Sequence, residues 1–389
     1  MIPAIAVPAF NRPASLARLL ASLAAADVAQ GTPLLIAVDC PADERHAAAN
    51  AAVLDVARAF RWPHGPLEII AQPAPLGLVG NVFACGAAAE VYGAVMLLED
   101  DLLVSARCHA YARQALAAYA GDDRLAGLSL NSPWSNGFTH QPFVPLLDDG
   151  DTYFLQLSTP QGQVYTAAQW RAFREWTATA GPESGAAAVH DLLSALPADD
   201  WLGLKARYLA ATGRFYVYPR ESLTTNPGAP GTHFAQATAY FRVPMQELRR
   251  DFRFLSLDAA AAVYDGFYEL LPARLDRLTD WLRGYDYAVD LYATKPPRLL
   301  TTDTVLTTRP CRRAELTFGR DLWPLEANVI AGTTGRGISL ARRADVLTDA
   351  TASLAAQHAN DAYFARSRRP GRRQRWRAVL AGWRYRRLL

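Results

Sequence analysis

Three consecutive acidic residues, Glu99, Asp100 and Asp101, follow an apolar segment at residues 94–98. Carboxylates beside a buried strand are costly unless they are solvated or bound to a cation. A hard divalent ion such as Mg²⁺ or Mn²⁺ prefers oxygen ligands and usually keeps water and substrate phosphates in its shell. The triplet therefore fits a metal site that also holds a diphosphate. An acidic surface turn is the alternative.

Polar residues also follow two earlier apolar segments. Arg12 comes after residues 2–10, and Asp39 ends residues 33–39. At the carboxyl end of a parallel strand, where such sheets bind ligands, Arg12 could contact a base or a phosphate. Asp39 could accept a hydrogen bond from a base N–H. Each is equally compatible with a helix cap or a surface charge.

Two adjacent carboxylates, Asp199 and Asp200, stand at the start of a predicted helix. The helix dipole favours negative charge there, which is sufficient reason for their presence. A free carboxylate that faces an acceptor hydroxyl could instead act as a general base. The sequence leaves both interpretations open.

The segment at residues 222–233 is rich in Ser, Thr, Pro and Gly and ends in His233. This composition is typical of a mobile loop, and such a loop can fold over a ligand and exclude water. His233 could add a metal or phosphate contact, although a lone histidine can equally pack or be solvated.

Apolar runs and helical spacing alternate along the first 250 residues. The pattern predicts strands over residues 2–10, 33–39, 67–71, 94–98, 125–130 and 214–219. It predicts helices over residues 14–25, 46–60, 78–92, 106–119, 167–176 and 199–211, and loops over residues 131–165. The fold class is therefore α/β, with a mixed, mostly parallel sheet flanked by helices.

The pattern changes after residue 250. A helix is predicted over residues 259–283, and short strands over 287–292, 298–306 and 337–341. We therefore expect a domain at residues 1–250, a smaller C-terminal α+β region at 251–350, and a basic helical tail at 351–389.

Composition limits the class of protein. Of the 389 residues, 51% are hydrophobic, enough for a large core and about two domains. The four cysteines form no CxxC pair, so we expect reduced thiols rather than a zinc site or disulfides. With neither a signal peptide nor an apolar run of about 18 residues, the expected location is cytoplasmic.

Ten arginines and no acid lie in residues 366–389, while the rest of the chain is mildly acidic. Trp376, Val379, Leu380 and Trp383 are at helical spacing. The tail is thus predicted to form an amphipathic helix that can lie on an anionic membrane surface, at the inner face of the cell membrane. A solvated or docked tail is the alternative, and the acidic body argues against nucleic acid as a partner.

The order of these motifs resembles a known family. VPAFNRPASLARLL, AVDC, GLVGNVFACGAAA, LLEDDLLVS, DDW and YPRESLTTNPGAPGTH follow one another within residues 2–240. This series resembles the inverting GT-A glycosyltransferases. It is similar to the N-acetylglucosaminyltransferase I type and to bacterial polysaccharide glycosyltransferases.

The resemblance implies a Rossmann-like GT-A fold and a role for each matching residue. It implies a donor site at Pro8, Arg12, Asp39, Asn81, Glu99, Asp100, Ser222, Asn226, Gly228 and Thr232. It implies Asp101 and His233 as ligands of Mn²⁺ or Mg²⁺, and Asp199 as the catalytic base with Asp200 as the alternative.

The implied partners are a nucleotide-sugar donor, with UDP favoured, and a glycan or lipid-linked acceptor. Pro197 and Ala198 depart from the family, which usually has an aromatic residue just before the aspartates.

Two other functions compete with this interpretation. A nucleotidyltransferase usually carries a glycine-rich, basic loop after its first strand, but AFNRPAS has no glycine and one arginine. A non-catalytic carbohydrate-binding or assembly protein could keep the same fold. The retained acids at residues 99–101 and 199–200 favour an enzyme.

Overall fold

The computed structural model describes residues 1–181, 184–229 and 236–364. The predicted basic tail at residues 366–389 lies outside the described residues, as do Thr232 and His233.

The first part of the chain contains the strands and helices that were predicted before residue 131, and the two-residue strands at residues 103–104 and 224–225 were not predicted. The strands are β1 (Ala4–Ala9), β2 (Leu34–Val38), β3 (Leu67–Ala71), β4 (Ala94–Leu97), β5 (Leu103–Val104), β6 (Leu125–Ser129), β7 (Thr152–Leu155), β8 (Gln163–Thr166), β9 (Phe215–Pro219) and β10 (Thr224–Thr225). The helices are α1 (Pro13–Ala25), α2 (Ala47–Ala59), α3 (Gly77–Gly86), α4 (Ala88–Tyr92), α5 (Cys108–Ala118), α6 (Ala167–Thr179), α7 (Asp191–Ser194) and α8 (Trp201–Thr212).

Shorter elements follow in the last third of the chain. The strands are β11 (Val263–Tyr264), β12 (Tyr287–Asp290), β13 (Thr304–Thr307), β14 (Leu316–Phe318) and β15 (Ile338–Arg342). The helices are α9 (Pro272–Leu275), α10 (Leu325–Ile330) and α11 (Ala350–Phe364).

The central sheet has the strand order β11-β7-β9-β6-β8-β4-β1-β2-β3 within the described residues. Strands β4, β1, β2 and β3 are mutually parallel, whereas β8 is antiparallel to both of its neighbours. The prediction of a mixed, mostly parallel sheet flanked by helices is therefore confirmed.

Strand β1 shows why the apolar segments are continuous rather than alternating. Ala4 and Ala6 belong to the hydrophobic cluster on one face of the sheet, and Ile5 and Val7 to the cluster on the other. A strand covered by helices on both faces needs apolar side chains at every position.

The prediction of loops throughout residues 131–165 is wrong, because β7 and β8 lie in this segment. Strand β8 pairs with β4 and β6, and β7 pairs with β9. Both strands are short, and their partners are distant in sequence. Tertiary pairing therefore decides their conformation more than local preference does.

The helix predicted over residues 259–283 is also wrong. Val263 and Tyr264 form β11, which is parallel to β7, and the only helix in this stretch is the short α9. Asp265 Oδ1 accepts hydrogen bonds from the N–H groups of Phe267 and Glu269 and closes a turn directly after β11. These long-range contacts override the helical preference of the alanine-rich sequence.

Two other boundaries differ from the prediction. The helix predicted over residues 78–92 is divided into α3 and α4 at Ala87. The strand predicted over residues 298–306 begins only at Thr304, after a short 3₁₀ turn.

A second sheet, with the order β12-β13-β15-β14, is formed after residue 286. Strand β11 belongs to the central sheet although it follows residue 250. The domain limits 1–250, 251–350 and 351–389 remain a prediction. Within the described residues, no helix is both long enough and apolar enough to cross a lipid bilayer.

Glu326 connects the C-terminal part of the chain to the central sheet. Tyr264 Oη of β11 donates a hydrogen bond to Glu326 Oε1 of α10 at 2.7 Å. Burial raises the pKa of Glu326 to about 7, although the hydrogen bond from Tyr264 opposes the shift. The folded protein therefore keeps the proton over a pH range in which the unfolded chain has already lost it.

We expect this carboxyl group to make the protein less stable as the pH rises. Its contribution to the free energy of unfolding is fully present below about pH 4.5. This contribution, up to about 3 kcal/mol, is lost as the pH rises from there to about 7. Urea unfolding should show Glu326→Gln gaining stability relative to the wild type over this range. Glu175→Gln, at an exposed position, is the control. If the stabilities of the wild type and Glu326→Gln change in parallel with pH, the pKa of Glu326 is not raised by folding.

Candidate functional site

The acidic triplet lies next to Arg12 because β1 and β4 are parallel neighbours, so both chains leave the sheet at the same edge. Arg12 Nη1 donates a hydrogen bond to Asp101 Oδ2 at 2.6 Å. Arg12 Nη2 lies 2.5 Å from Asp100 Oδ1. The structure thus brings together the arginine and the acids that the sequence indicated.

The triplet is short of compensating positive charge. Burial, together with the neighbouring charge of Asp101, raises the pKa of Glu99 to about 8, against the effect of Arg12. Burial also raises the pKa of Asp100 to about 6, while Arg12 opposes the shift. Asp101 Oδ1 is buried and has no hydrogen-bond partner among the described residues. One arginine therefore does not fully satisfy the three acids.

The described residues contain no group of three or more His, Cys, Asp or Glu side chains arranged to hold a metal by themselves. A Mg²⁺-type ion, however, commonly uses one or two carboxylates and completes its shell with water and substrate phosphates. The unpartnered Asp101 Oδ1 fits that kind of site. Asp101 could therefore hold an ion that is shared with a diphosphate.

Pro8, Asp39 and Asn81 support the backbone around the strand ends. Pro8 is buried in β1. Asp39 Oδ1 accepts hydrogen bonds from the N–H groups of Cys40 and Leu76, both at 2.9 Å.

Asn81 has a similar supporting position. Its Nδ2 donates a hydrogen bond to the carbonyl oxygen of Ala37 at 2.9 Å, and its Oδ1 accepts one from Gln72. The roles of Pro8, Asp39 and Asn81 in donor binding remain predictions.

A cleft of about 540 Å³ opens beside the triplet. It contains Arg12, Glu99 and Asp101 from the strand ends, and Asp200 from the start of α8. The cleft therefore brings the residues at the ends of β1 and β4 together with the start of α8.

Asp200 and Asp199 point to different surfaces. Asp200 lines the cleft, and its Oδ1 caps α8 by accepting a hydrogen bond from the N–H of Gly203 at 2.8 Å. Asp199 is exposed and lines a separate groove with Arg174 and Arg207. Of the two carboxylates, the structure places only Asp200 near the triplet.

The segment after β9 is tied to the chain beside the triplet. Strand β10 pairs with β5, which directly follows Asp101. Ser222 is buried and donates a hydrogen bond to the carbonyl oxygen of Thr224 at 2.6 Å. This part of the predicted loop is therefore anchored by hydrogen bonds.

Asn226 and Gly228 line the cleft. Asn226 Oδ1 accepts a hydrogen bond from the N–H of Gly228 at 2.7 Å. Gly228 has a φ of 69°, and an added Cβ would lie 1.8 Å from the carbonyl oxygen of Thr238. Glycine is thus required at this turn.

Much of the cleft surface was not identified from the sequence. These lining residues come from loops and short helices: Leu78, Asn131, Pro133, Trp134, Ser135, Gly137, Phe138, Leu157, Ser158, Thr159, Pro160, Gln161, Leu192, Leu193, Leu196, Trp201, Leu202, Ala229, Thr238, Tyr240, Phe241, Val243 and Tyr268. The Gly- and Pro-rich composition of residues 131–165 was a usable signal, because scaffold loops often carry binding residues.

The C-terminal part of the chain also shapes the cleft. Tyr268 lines it and contacts Phe138 with ring centroids 5.8 Å apart. Phe138 also stacks on His190, with centroids 3.9 Å apart and an interplanar angle of 5°. Residues after 250 therefore position one wall of the site.

No family model matches the chain, and no curated protein matches it. Among solved structures, three of TarS from S. aureus match with a TM-score of 0.34 each. They are TarS 1–349, TarS, and TarS 1–349 in complex with UDP, at 18%, 16% and 14% identity.

The matches cover 56%, 56% and 58% of this chain, and 60%, 36% and 60% of the TarS chains. The chain thus spans less than two thirds of the length of each of these TarS chains. At this TM-score the matches assign neither a fold nor an activity.

The balance of charge at the triplet depends on Arg12. Replacing Arg12 by Gln removes the counter-charge of Asp100 and Asp101, and we expect the free energy of unfolding at pH 7 to fall by about 1–3 kcal/mol. Because the pKa of Asp100 is raised to about 6, its protonation at pH 5 should make the loss smaller. Urea unfolding at both pH values measures the difference.

Arg18→Gln, at an exposed position of α1, is the matched control. An Arg12→Gln variant as stable as the wild type at pH 7, or equally destabilised at both pH values, would contradict this account of the site.

Proposed function

We propose that this protein is an inverting glycosyltransferase of the GT-A type, which transfers a sugar from a nucleotide-diphosphate sugar to an acceptor hydroxyl group. The observation that carries the proposal is the single cleft lined by Arg12, Glu99, Asp101 and Asp200. Sugar transfer needs stabilisation of a leaving diphosphate and removal of a proton from the acceptor. The cleft offers separate groups for these two tasks.

Arg12 and the turn at Asn226 and Gly228 would bind the donor. In this proposal the Arg12 guanidinium, which also pairs with Asp100 and Asp101, would contact a phosphate oxygen of the donor. UDP is the nucleotide that the sequence resemblance implies.

Asp101 would hold a divalent ion, Mn²⁺ or Mg²⁺, through the oxygen that has no hydrogen-bond partner among the described residues. Such an ion, when bound, neutralises charge on a diphosphate as a Lewis acid. In this proposal, Glu99 and Asp100 would lie near the ribose and the donor sugar. His233 as a further ligand remains a prediction.

Asp200 would be the catalytic base. Its Oδ1 is held by the N–H of Gly203, which fixes the carboxylate and leaves Oδ2 to accept the proton of the attacking hydroxyl. Asp199 is less suited to this role, because it lines the separate groove. One base opposite the leaving group is consistent with inversion at the anomeric carbon.

The acceptor would be a glycan or a lipid-linked glycan, as in the assembly of a bacterial surface polysaccharide. The basic segment at residues 366–389 would bring the enzyme to an anionic membrane surface. We expect the protein to lose its partition to the membrane when residues 366–389 are removed, and a measurement of that partition tests the proposal.

A thermal-shift panel with UDP, GDP, CDP and dTDP, each with and without Mn²⁺, tests the donor site. We expect one nucleotide, with UDP favoured, to raise the melting temperature of the wild type only when metal is present. The Asp101→Asn variant should lose this stabilisation, because it lacks the carboxylate that would hold the ion.

Asp27→Asn is a matched control, because Asp27 also pairs with an arginine, Arg107, and does not line the cleft. It should respond to the nucleotide as the wild type does. If none of the nucleotides stabilises the wild type, the donor site is absent and a non-catalytic binding function becomes the better explanation.

Comparison of Asp200→Asn with Asp199→Asn tests which of the two carboxylates is the catalytic base. Asparagine can still cap α8, so Asp200→Asn removes the base and keeps the helix start. We expect sugar transfer to fall about 10²–10⁴-fold in this variant and to stay near the wild-type rate in Asp199→Asn. The reverse order in a transfer assay would assign the role to Asp199 instead.

A further inference from the structure

Four large apolar side chains that are exposed to solvent line the same cleft. Leu78, Trp134, Leu192 and Tyr240 are 55%, 58%, 59% and 41% exposed. Single exposed apolar residues are common, but their convergence on one concave surface indicates a binding site.

Four leucine side chains line the cleft together with Asp200. Leu192 and Leu193 of α7, Leu196 after it, and Leu202 of α8 all line the cleft with Asp200. The polar groups, by contrast, come mainly from the strand ends and from the turn after β10. The cleft therefore combines the carboxylate proposed as the base with leucine side chains from α7, from the turn after it and from α8.

Aromatic side chains also line the cleft, and one of them is held by contacts with its neighbours. Trp134 and Phe138 come from the loop after β6. Phe138 is fixed by its stacking on His190 and by its edge contact with Tyr268. Phe138 is already ordered by these contacts and therefore loses little freedom when a ligand binds.

The chemistry of these walls restricts what can bind beside Asp200. A polyhydroxylated ring pressed against leucines would lose hydrogen bonds to water without replacing them. An alkyl or aryl group would instead be removed from water favourably, since apolar burial is the main gain in such pockets.

We propose that the acceptor carries an apolar aglycone, and that this group binds in the cleft against the leucines of α7 and α8 and the aromatic side chains Trp134 and Phe138. The aglycone would hold the attacking hydroxyl group next to Asp200. This inference rests on the proposed function, because it names the substrate class of the same cleft.

Calorimetric titration of the full chain with octyl β-glucoside and methyl β-glucoside tests the inference without requiring turnover. Both compounds are used below the micelle concentration of the octyl compound. We expect saturable binding of one octyl glucoside per chain, at least about tenfold tighter than binding of methyl glucoside. Equal affinity for the two compounds would overturn the proposal.

Leu192→Gln locates the binding. Its side chain is exposed, so the change should not disturb folding. We expect the affinity for octyl glucoside to fall about 3–10-fold and the affinity for methyl glucoside to stay the same. Leu248→Gln is the matched control, because Leu248 is 86% exposed and does not line the cleft.

A second variant, Leu196→Gln, tests another lining residue of the cleft, so that the location of binding does not depend on one position. Octyl glucoside binding that neither Leu192→Gln nor Leu196→Gln weakens would lie outside the cleft and would refute the proposal. Tight octyl glucoside binding in the cleft, together with no response of the wild type to any nucleotide, would support the apolar site and reject the glycosyltransferase function.

Discussion

Arg12 and the acidic triplet form the charge balance on which the site depends. Because β1 and β4 are parallel neighbours, their carboxyl ends bring one guanidinium between Asp100 and Asp101. One positive charge stands against three buried or half-buried carboxyl groups. Burial raises the pKa values of Glu99 and Asp100, the charge of Asp101 adds to the shift, and Arg12 opposes it. A site with more acidic groups than positive charges favours the binding of a further cation, or of a ligand that brings a cation with it.

The backbone around this charge cluster is held by side chains that are polar but not exposed. Asn50 Nδ2 donates hydrogen bonds to the carbonyl oxygens of Phe10 and Asp39, both at 2.7 Å, where β1 and β2 end. Asp39 and Asn81 add hydrogen bonds to the segments that follow β2 and β3. Such buried polar groups are favourable only when they are fully hydrogen-bonded, and here they give the strand ends one defined conformation.

The C-terminal part of the chain is joined to the site through buried charges as well as aromatic contacts. The ion pair of Arg309 with Asp290 is completely buried, and Lys295 pairs with Asp265 beside the turn that leads to Tyr268. Because removal of one partner of such a pair is costly, these contacts fix the turn strongly. The position of Tyr268, and through it that of Phe138, therefore depends on residues far along the chain.

The sequence by itself determined β1 to β4, β6 and the helical segments between them, because each buried strand must be apolar throughout and each helix has one apolar stripe. It did not indicate the two-residue strand β5. It also placed Arg12 and the acidic triplet at strand ends. Tertiary structure alone decided that β7, β8 and β11 are strands, since their partners lie far away in sequence. It likewise decided that Asp200 rather than Asp199 lines the cleft, because adjacent residues at a helix start point in different directions, and the packing of α7 and α8 selects which one faces the site.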